Sequence, residues 1–302
     1  MRNSLPSPVA VLRDRSNVTV ARVTLGLTAY LDDPMRWARE GAAAALRMFL
    51  AMAPRARLAW FTTSAMSGWE PLSPHALERI QEALPLPWGR GVPRHAFELR
   101  LADATDTAGF GFAYREIDPA RGGRSWLQIT LPDDHPSDDL AQYTIELAQT
   151  LPLHAAIAGH LGVWHAGYVD AGFAALRTWC RRYLGLDLQH PDATSLGLGD
   201  ALPGSGWLTL LGPALASRAD LTTPWKEEVA VLRLRHATLV RAGAAPTLGD
   251  ANTLTFPRAY AEVAHRLAGL LAPAPPEFPS WDADAGETSA WRRRFIEPEG
   301  WR

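Results

Sequence analysis

Branched and apolar side chains recur along residues 18–30 (VTVARVTLGLTAY) with the two-residue period of a strand. Asp33-Pro34 follows, an N-cap residue ahead of a proline suited to a first helical position. The spacing of Trp37, Ala42, Ala45, Leu46 and Phe49 then predicts one apolar stripe on a helix reaching about residue 53. Residues 57–62 (RLAWFT) read as a short strand, and Ser73-Pro74 opens a second helix that buries Leu77, Ile80 and Leu84. Three strands are predicted over 95–103, 110–117 and 125–131, joined by turns rich in Asp, Thr, Gly and Pro. Ser137 is predicted to cap a helix carrying Leu140, Tyr143, Leu147 and Leu151. A strand over 160–168 and a helix over 172–184, with Phe173, Leu176, Cys180 and Tyr183 on one side, come next. Residues 185–206 read as a long irregular loop. The segment 206–213 (GWLTLLGP) leads into a short helix over 213–218, followed by strands over 228–235 and 237–242. A last helix from 257 to 270 is defined by Tyr260, Val263, Leu267 and Leu270, and a proline-rich, then charged tail begins at Ala272.

Strands alternating with helices, with hairpins between, predict an α+β fold: an antiparallel or mixed β-sheet with helices packed on it. The expected organisation is one domain over 1–271, with possible similar halves at 1–151 and 152–271, and a separate tail over 272–302. No internal repeat in the sequence supports the two halves.

Composition narrows the chemistry. The chain has 302 residues, is 47% hydrophobic and carries a formal net charge of −2. It is globular, and nothing in its charge draws it to nucleic acid or to an anionic membrane. A single cysteine, Cys180, excludes an internal disulfide and a multi-cysteine zinc site. The first residues lack the apolar core of a signal peptide, and 41–53 is too short to span a bilayer and is interrupted by Arg47. The expected location is the cytoplasm. Lys226, the only lysine, follows Pro224-Trp225, so no phosphate-binding P-loop exists.

The densest like-charge cluster is 132–139 (PDDHPSDD). Asp133, Asp134, Asp138 and Asp139 fit either a first-turn helix cap or a surface that meets a basic partner; the alternating ligand spacing and central glycine of a calcium loop are absent. His160 and His165 are five apart, which puts them on opposite faces of one strand, and no His-Glu-x-x-His pattern occurs, so neither a metal nor a cofactor is expected. A non-motif active site around His160, His165 and Asp170 remains as an alternative. The glycines at 197, 199, 204 and 206 have neither the preceding strand nor the helix of a dinucleotide loop. No Gly-x-Ser-x-Gly elbow exists, and Cys180 falls on an apolar stripe. Trp281, Trp291 and Trp301 punctuate the tail around Arg292-Arg293-Arg294; they either anchor a partner or wrap back onto the domain.

The helix GFAALRTWCRRYLGLD, the segment GSGWLTLLGP, the strands VAVLRLR and ATLVRAG, and the block APTLGDANTLTFPRAYAEVAHRL together resemble the DUF3396 family, described as type VI secretion system immunity proteins. Trp207, Gly212, Pro213, Gly249, Asp250 and Asn252 lie in those blocks and look like fold determinants. The resemblance implies a toxin-neutralising protein with no catalysis of its own. Its partner would be a cognate secreted effector toxin. With no signal peptide expected, a cytoplasm-acting toxin such as a nuclease fits best, and its basic surface would suit the four aspartates and an exposed aromatic such as Trp69. The long proline-rich tail departs from the family pattern. The sequence leaves the oligomeric state open.

Overall fold

The computed structural model of the chain describes residues 11–32, 35–84, 97–117, 122–273, 277–281 and 286–301. In the N-terminal half the strands are β1 (Val11–Arg13), β2 (Thr19–Leu31), β3 (Trp60–Thr63), β4 (Glu70–Pro71), β5 (Glu98–Ala102), β6 (Gly111–Arg115) and β7 (Trp126–Pro132). The helices there are α1 (Met35–Met52), α2 (Pro74–Ala83) and α3 (Ser137–Thr150). The C-terminal half supplies β8 (Leu153–Trp164), β9 (Asp187–Leu188), β10 (Leu208–Leu211), β11 (Val229–Arg233) and β12 (Thr238–Ala242). Its helices are α4 (Val169–Arg182), α5 (Pro191–Gly197), α6 (Pro213–Ala216), α7 (Arg258–Leu267) and α8 (Glu287–Arg292).

All twelve strands join one sheet in the order β11-β12-β10-β8-β2-β7-β6-β5-β3-β4, with β1 on β2 and β9 on β8. Every pairing is antiparallel except β8–β9. The seam is β2 against β8, in register from Ala21–Trp164 to Tyr30–Ala155, with a one-residue shift before Leu31–Leu153. Strands from the first half lie on the β2 side of that seam and strands from the second half on the β8 side. Ala21 and Arg22 already pair with β8, so β1 takes the other edge of β2, beyond β7. By the same reasoning β9 sits beyond β10 on the outer edge of β8.

Register puts apolar residues on one face. Leu27, Ile129, Phe112 and Leu101 stand in one row across four strands. All four are buried. Helices α1 and α3 cover this face: the ring of Phe49 lies 5.8 Å from Phe112, and the Tyr143 hydroxyl donates to the Ala45 carbonyl at 3.2 Å. The alternate row, Thr28, Gln128, Ala113, Arg100 and Thr62, is far more polar, as expected of an antiparallel sheet with one wetter face.

Three sequence expectations are corrected. The strand expected over 160–168 begins seven residues earlier, at Leu153, and ends at Trp164. Its first part, LHAAIAG, is buried on both faces, so it shows neither alternation nor β-branched enrichment. The loop expected over 185–206 holds β9 and α5; Pro191 fits the first turn, and His190 caps it by accepting from the Ala193 N–H at 3.3 Å. Ser137 does not cap α3: Pro136 occupies that position and offers no side-chain acceptor. The cap expected at Asp33-Pro34 lies outside the described residues.

The C-terminal segment is packed into the molecule. Trp281, Trp291 and Trp301 are all buried. The Trp281 indole donates to the Phe173 carbonyl at 2.9 Å and the Trp301 indole to the Cys180 carbonyl at 3.1 Å, both on α4. The two rings stack at 5.5 Å. Arg294, also buried, donates to the carbonyls of Leu184 and Leu186.

Candidate partner-binding surface

The acidic run forms the turn from β7 into α3. Asp134, Asp138 and Asp139 are exposed and Asp133 is half-buried. Asp138 and Asp139 lie in the first turn of α3, where the helix dipole favours negative charge. His135 Nε2 lies 3.0 Å from the Asp139 carboxylate, and its ring is perpendicular to that of Phe110 at 5.8 Å. Burial, together with repulsion from Asp134, pushes the Asp133 carboxyl above its ordinary range, against the pull of Arg22. The groove beside it, about 530 Å³, is of mixed charge: Arg22 and Arg57 line it together with Asp103, Asp133 and Asp134.

Trp69 is half-buried and lines a second, smaller groove of about 120 Å³ with Trp164, Arg100, Asp106, Thr107 and Thr130. A single hairpin loop separates the two grooves. Asp103, Gly109 and Phe110 face the acidic one, and Ala104, Asp106, Thr107 and Ala108 face the other. The loop is held by carboxylates. Asp103 accepts from the N–H groups of Gly109 and Phe110, and Asp106 from those of Thr107 and Thr19. Burial works against ionisation of Asp106, yet these N–H donors hold its carboxyl below the ordinary range. The structure therefore places Trp69 on one flank of this hairpin loop and Asp133 and Asp134 on the other, with Asp138 and Asp139 further on in the first turn of α3. Sequence reading missed the second groove, although the alternate polar residues Arg100 on β5 and Gln128 and Thr130 on β7 were its signal.

His160, His165 and Asp170 do not converge. His160 sits within β8, partnered by the Pro246 carbonyl, and burial pushes its imidazole down to about 4. His165 lies past the strand end and accepts the Gly167 N–H through Nδ1 at 2.8 Å. Asp170, exposed at the start of α4, accepts from the Ser280 hydroxyl. None of the three lines either groove. Burial raises the Cys180 thiol to about 12, which leaves it protonated. No group of three or more His, Cys, Asp or Glu side chains suited to a metal occurs among the described residues. No helix among them is long and apolar enough to cross a membrane.

The remaining sequence-singled residues sit elsewhere. Trp207 is fully buried, its indole donating to the Gly243 carbonyl at 3.1 Å. Gly212 has φ −60°, which any residue adopts, so its role is close approach rather than conformational freedom: an added Cβ would lie 2.1 Å from the Leu153 carbonyl oxygen. Pro213 opens α6. Gly249, at φ +61°, precedes a loop clamped by Asp250, which accepts from the Asn252 N–H and from Arg182. That loop presents Leu254 in the left-handed region, φ 55°, and 87% exposed.

Comparison with known proteins adds the following. A family model described as TsiV, type VI immunity for VRR-NUC, matches residues 42–295. Among solved structures, the Pseudomonas aeruginosa T6SS protein PA0821 superposes with a TM-score of 0.78 at 17% identity, covering 98% of this chain and 91% of its own. At that identity the likeness is one of fold. A search of curated proteins finds no significant match.

Proposed function

The chain belongs to the TsiV family of type VI immunity for VRR-NUC, and on that premise we propose that it binds and neutralises a cognate type VI effector carrying a VRR-NUC nuclease. The observation that carries this reading is the extent of the family match, which runs from α1 to the buried C-terminal segment. Neutralisation is by occlusion, without a reaction catalysed by this chain, and takes place in the cytoplasm, where the nuclease meets nucleic acid. The whole chain acts as one binding unit, its C-terminal segment included. The exposed carboxylates of Asp134, Asp138 and Asp139, with Asp133 behind them, offer charge complementary to a nucleic-acid-cleaving surface and would speed capture.

The test is a DNA-cleavage assay of the purified effector nuclease domain titrated with this protein. Cleavage should stop at one equivalent; cleavage that persists at large excess refutes the reading. Replacing Asp133, Asp134, Asp138 and Asp139 together with asparagine should slow association and flatten its dependence on ionic strength. Unchanged affinity and salt dependence would remove the acidic turn from the interface.

A further inference from the structure

We propose that the groove beside Trp69 is a socket for one basic side chain of the effector, an arginine rather than a lysine; this rests on the immunity reading and names the chemistry by which it is met. Two buried hydroxyls point to an occupant. Thr107 and Thr130 are 3% and 6% exposed, both line the groove, and neither hydroxyl has a hydrogen-bond partner. Buried polar groups are nearly always satisfied, so two orphans on one wall mark a place where a partner's donors complete the network. Gly111 keeps that wall open, since an added Cβ would lie 2.7 Å from Thr130 Oγ1.

The lining selects a cation. Asp106 is ionised and fixed by the backbone of the hairpin. Gln128 spends its amide N–H on Thr28 at 2.9 Å, which leaves its carbonyl oxygen as an acceptor on the same wall. Trp69 and Trp164 bring two indoles to the lining, and indole is the preferred aromatic partner of guanidinium. Arg100, the one cation among the described residues of the lining, is already paired with Glu98. An anion entering here would meet Asp106. At about 120 Å³ the groove is well below the size of a small-molecule site and matches a single side chain. Several acceptors arranged around a flat cation suit the planar fork of arginine better than the point charge of lysine.

The experiment uses the full chain with Thr107 and Thr130 both changed to valine, and separately Gly111→Ala. Affinity for the effector nuclease domain is measured by calorimetry and the thermal midpoint of the free protein by scanning fluorimetry. Removing two unsatisfied hydroxyls at constant shape should leave the midpoint unchanged or raise it, while affinity falls at least tenfold. That pairing of opposite effects is not what a purely structural role produces. Gly111→Ala, which fills the socket, should weaken binding likewise. Wild-type affinity in the double valine variant overturns the socket. Failure of the unaltered protein to bind the effector overturns the immunity reading instead.

Discussion

Trp281 offers the sharpest test of how the C-terminal segment contributes to stability. Its ring is fully buried, stacked on Trp301, and edge-on to Phe278 and Trp291 at 4.9 and 6.0 Å. Trp281→Ala removes that ring and the second hydrogen bond that it gives the helical Phe173 carbonyl. Truncating a buried tryptophan costs about 3–5 kcal/mol, and the middle of that range, about 4 kcal/mol, is expected here. For a chain of this length the unfolding entropy is about 0.6 kcal/mol per kelvin, so the midpoint should fall by about 6 °C. Urea denaturation followed by tryptophan fluorescence and by far-ultraviolet dichroism reads the change. If the segment unfolds with the sheet, both probes shift together with unchanged slope. A loss under about 1 kcal/mol, or a separate early fluorescence transition with the dichroism midpoint unmoved, would refute the integration argued from these contacts.

Gly212→Ala forces a methyl group against two backbone carbonyls, those of Leu153 and His154, and should cost about 3 kcal/mol or more, read as a lower urea midpoint or loss of soluble protein. Burial depresses His160 to about 4, so the folded chain refuses a proton that the unfolded chain takes up below about 6.5. Its contribution is whole above pH 6.5 and is lost as pH falls toward 4, about 3 kcal/mol in all; His160→Gln should flatten the stability profile in that window relative to the unaltered protein. Leu254→Gly relieves a left-handed leucine that makes little contact and should stabilise the chain by no more than about 1 kcal/mol once glycine's extra unfolded-state entropy is counted, read as a higher urea midpoint.

Periodicity carried much of the fold. β2, β5, β6, β7, α1, α3 and α7 were legible because each has one apolar face and a turn signal at its end. The start of β8 was not, because alanines buried on both sides leave no contrast between faces. β9 and α5 were hidden in a stretch whose glycines and prolines look like loop; their order comes from long-range partners such as Gln189, which accepts from the Tyr30 hydroxyl across the sheet. The tail posed a choice that local sequence cannot make, since the same evenly spaced tryptophans serve an interface or a core. The acidic turn was visible as a charge run, but the arginines beside it are distant in sequence: Arg22 comes from β2 and Arg57 from a 3-10 turn after α1. The Trp69 groove exists only once β5, β6 and β7 are aligned, so no contiguous motif announces it. At Gly212 the constraint is approach distance to the Leu153 carbonyl, not a backbone dihedral, and approach distance cannot be read from a single sequence.

The seam between β2 and β8 sets the order in which the chain can be completed on a ribosome. β2 is made early, yet the strand that covers one of its edges ends about 130 residues later. At ordinary elongation rates that is on the order of ten seconds during which thirteen residues of mostly apolar strand have an unpaired edge. Such an edge is a template for pairing with a neighbouring nascent chain. Synthesis should therefore be the hazardous phase of this protein's life: release before residue 153 yields insoluble material, and holding factors that shield β2 until β8 arrives raise the soluble yield.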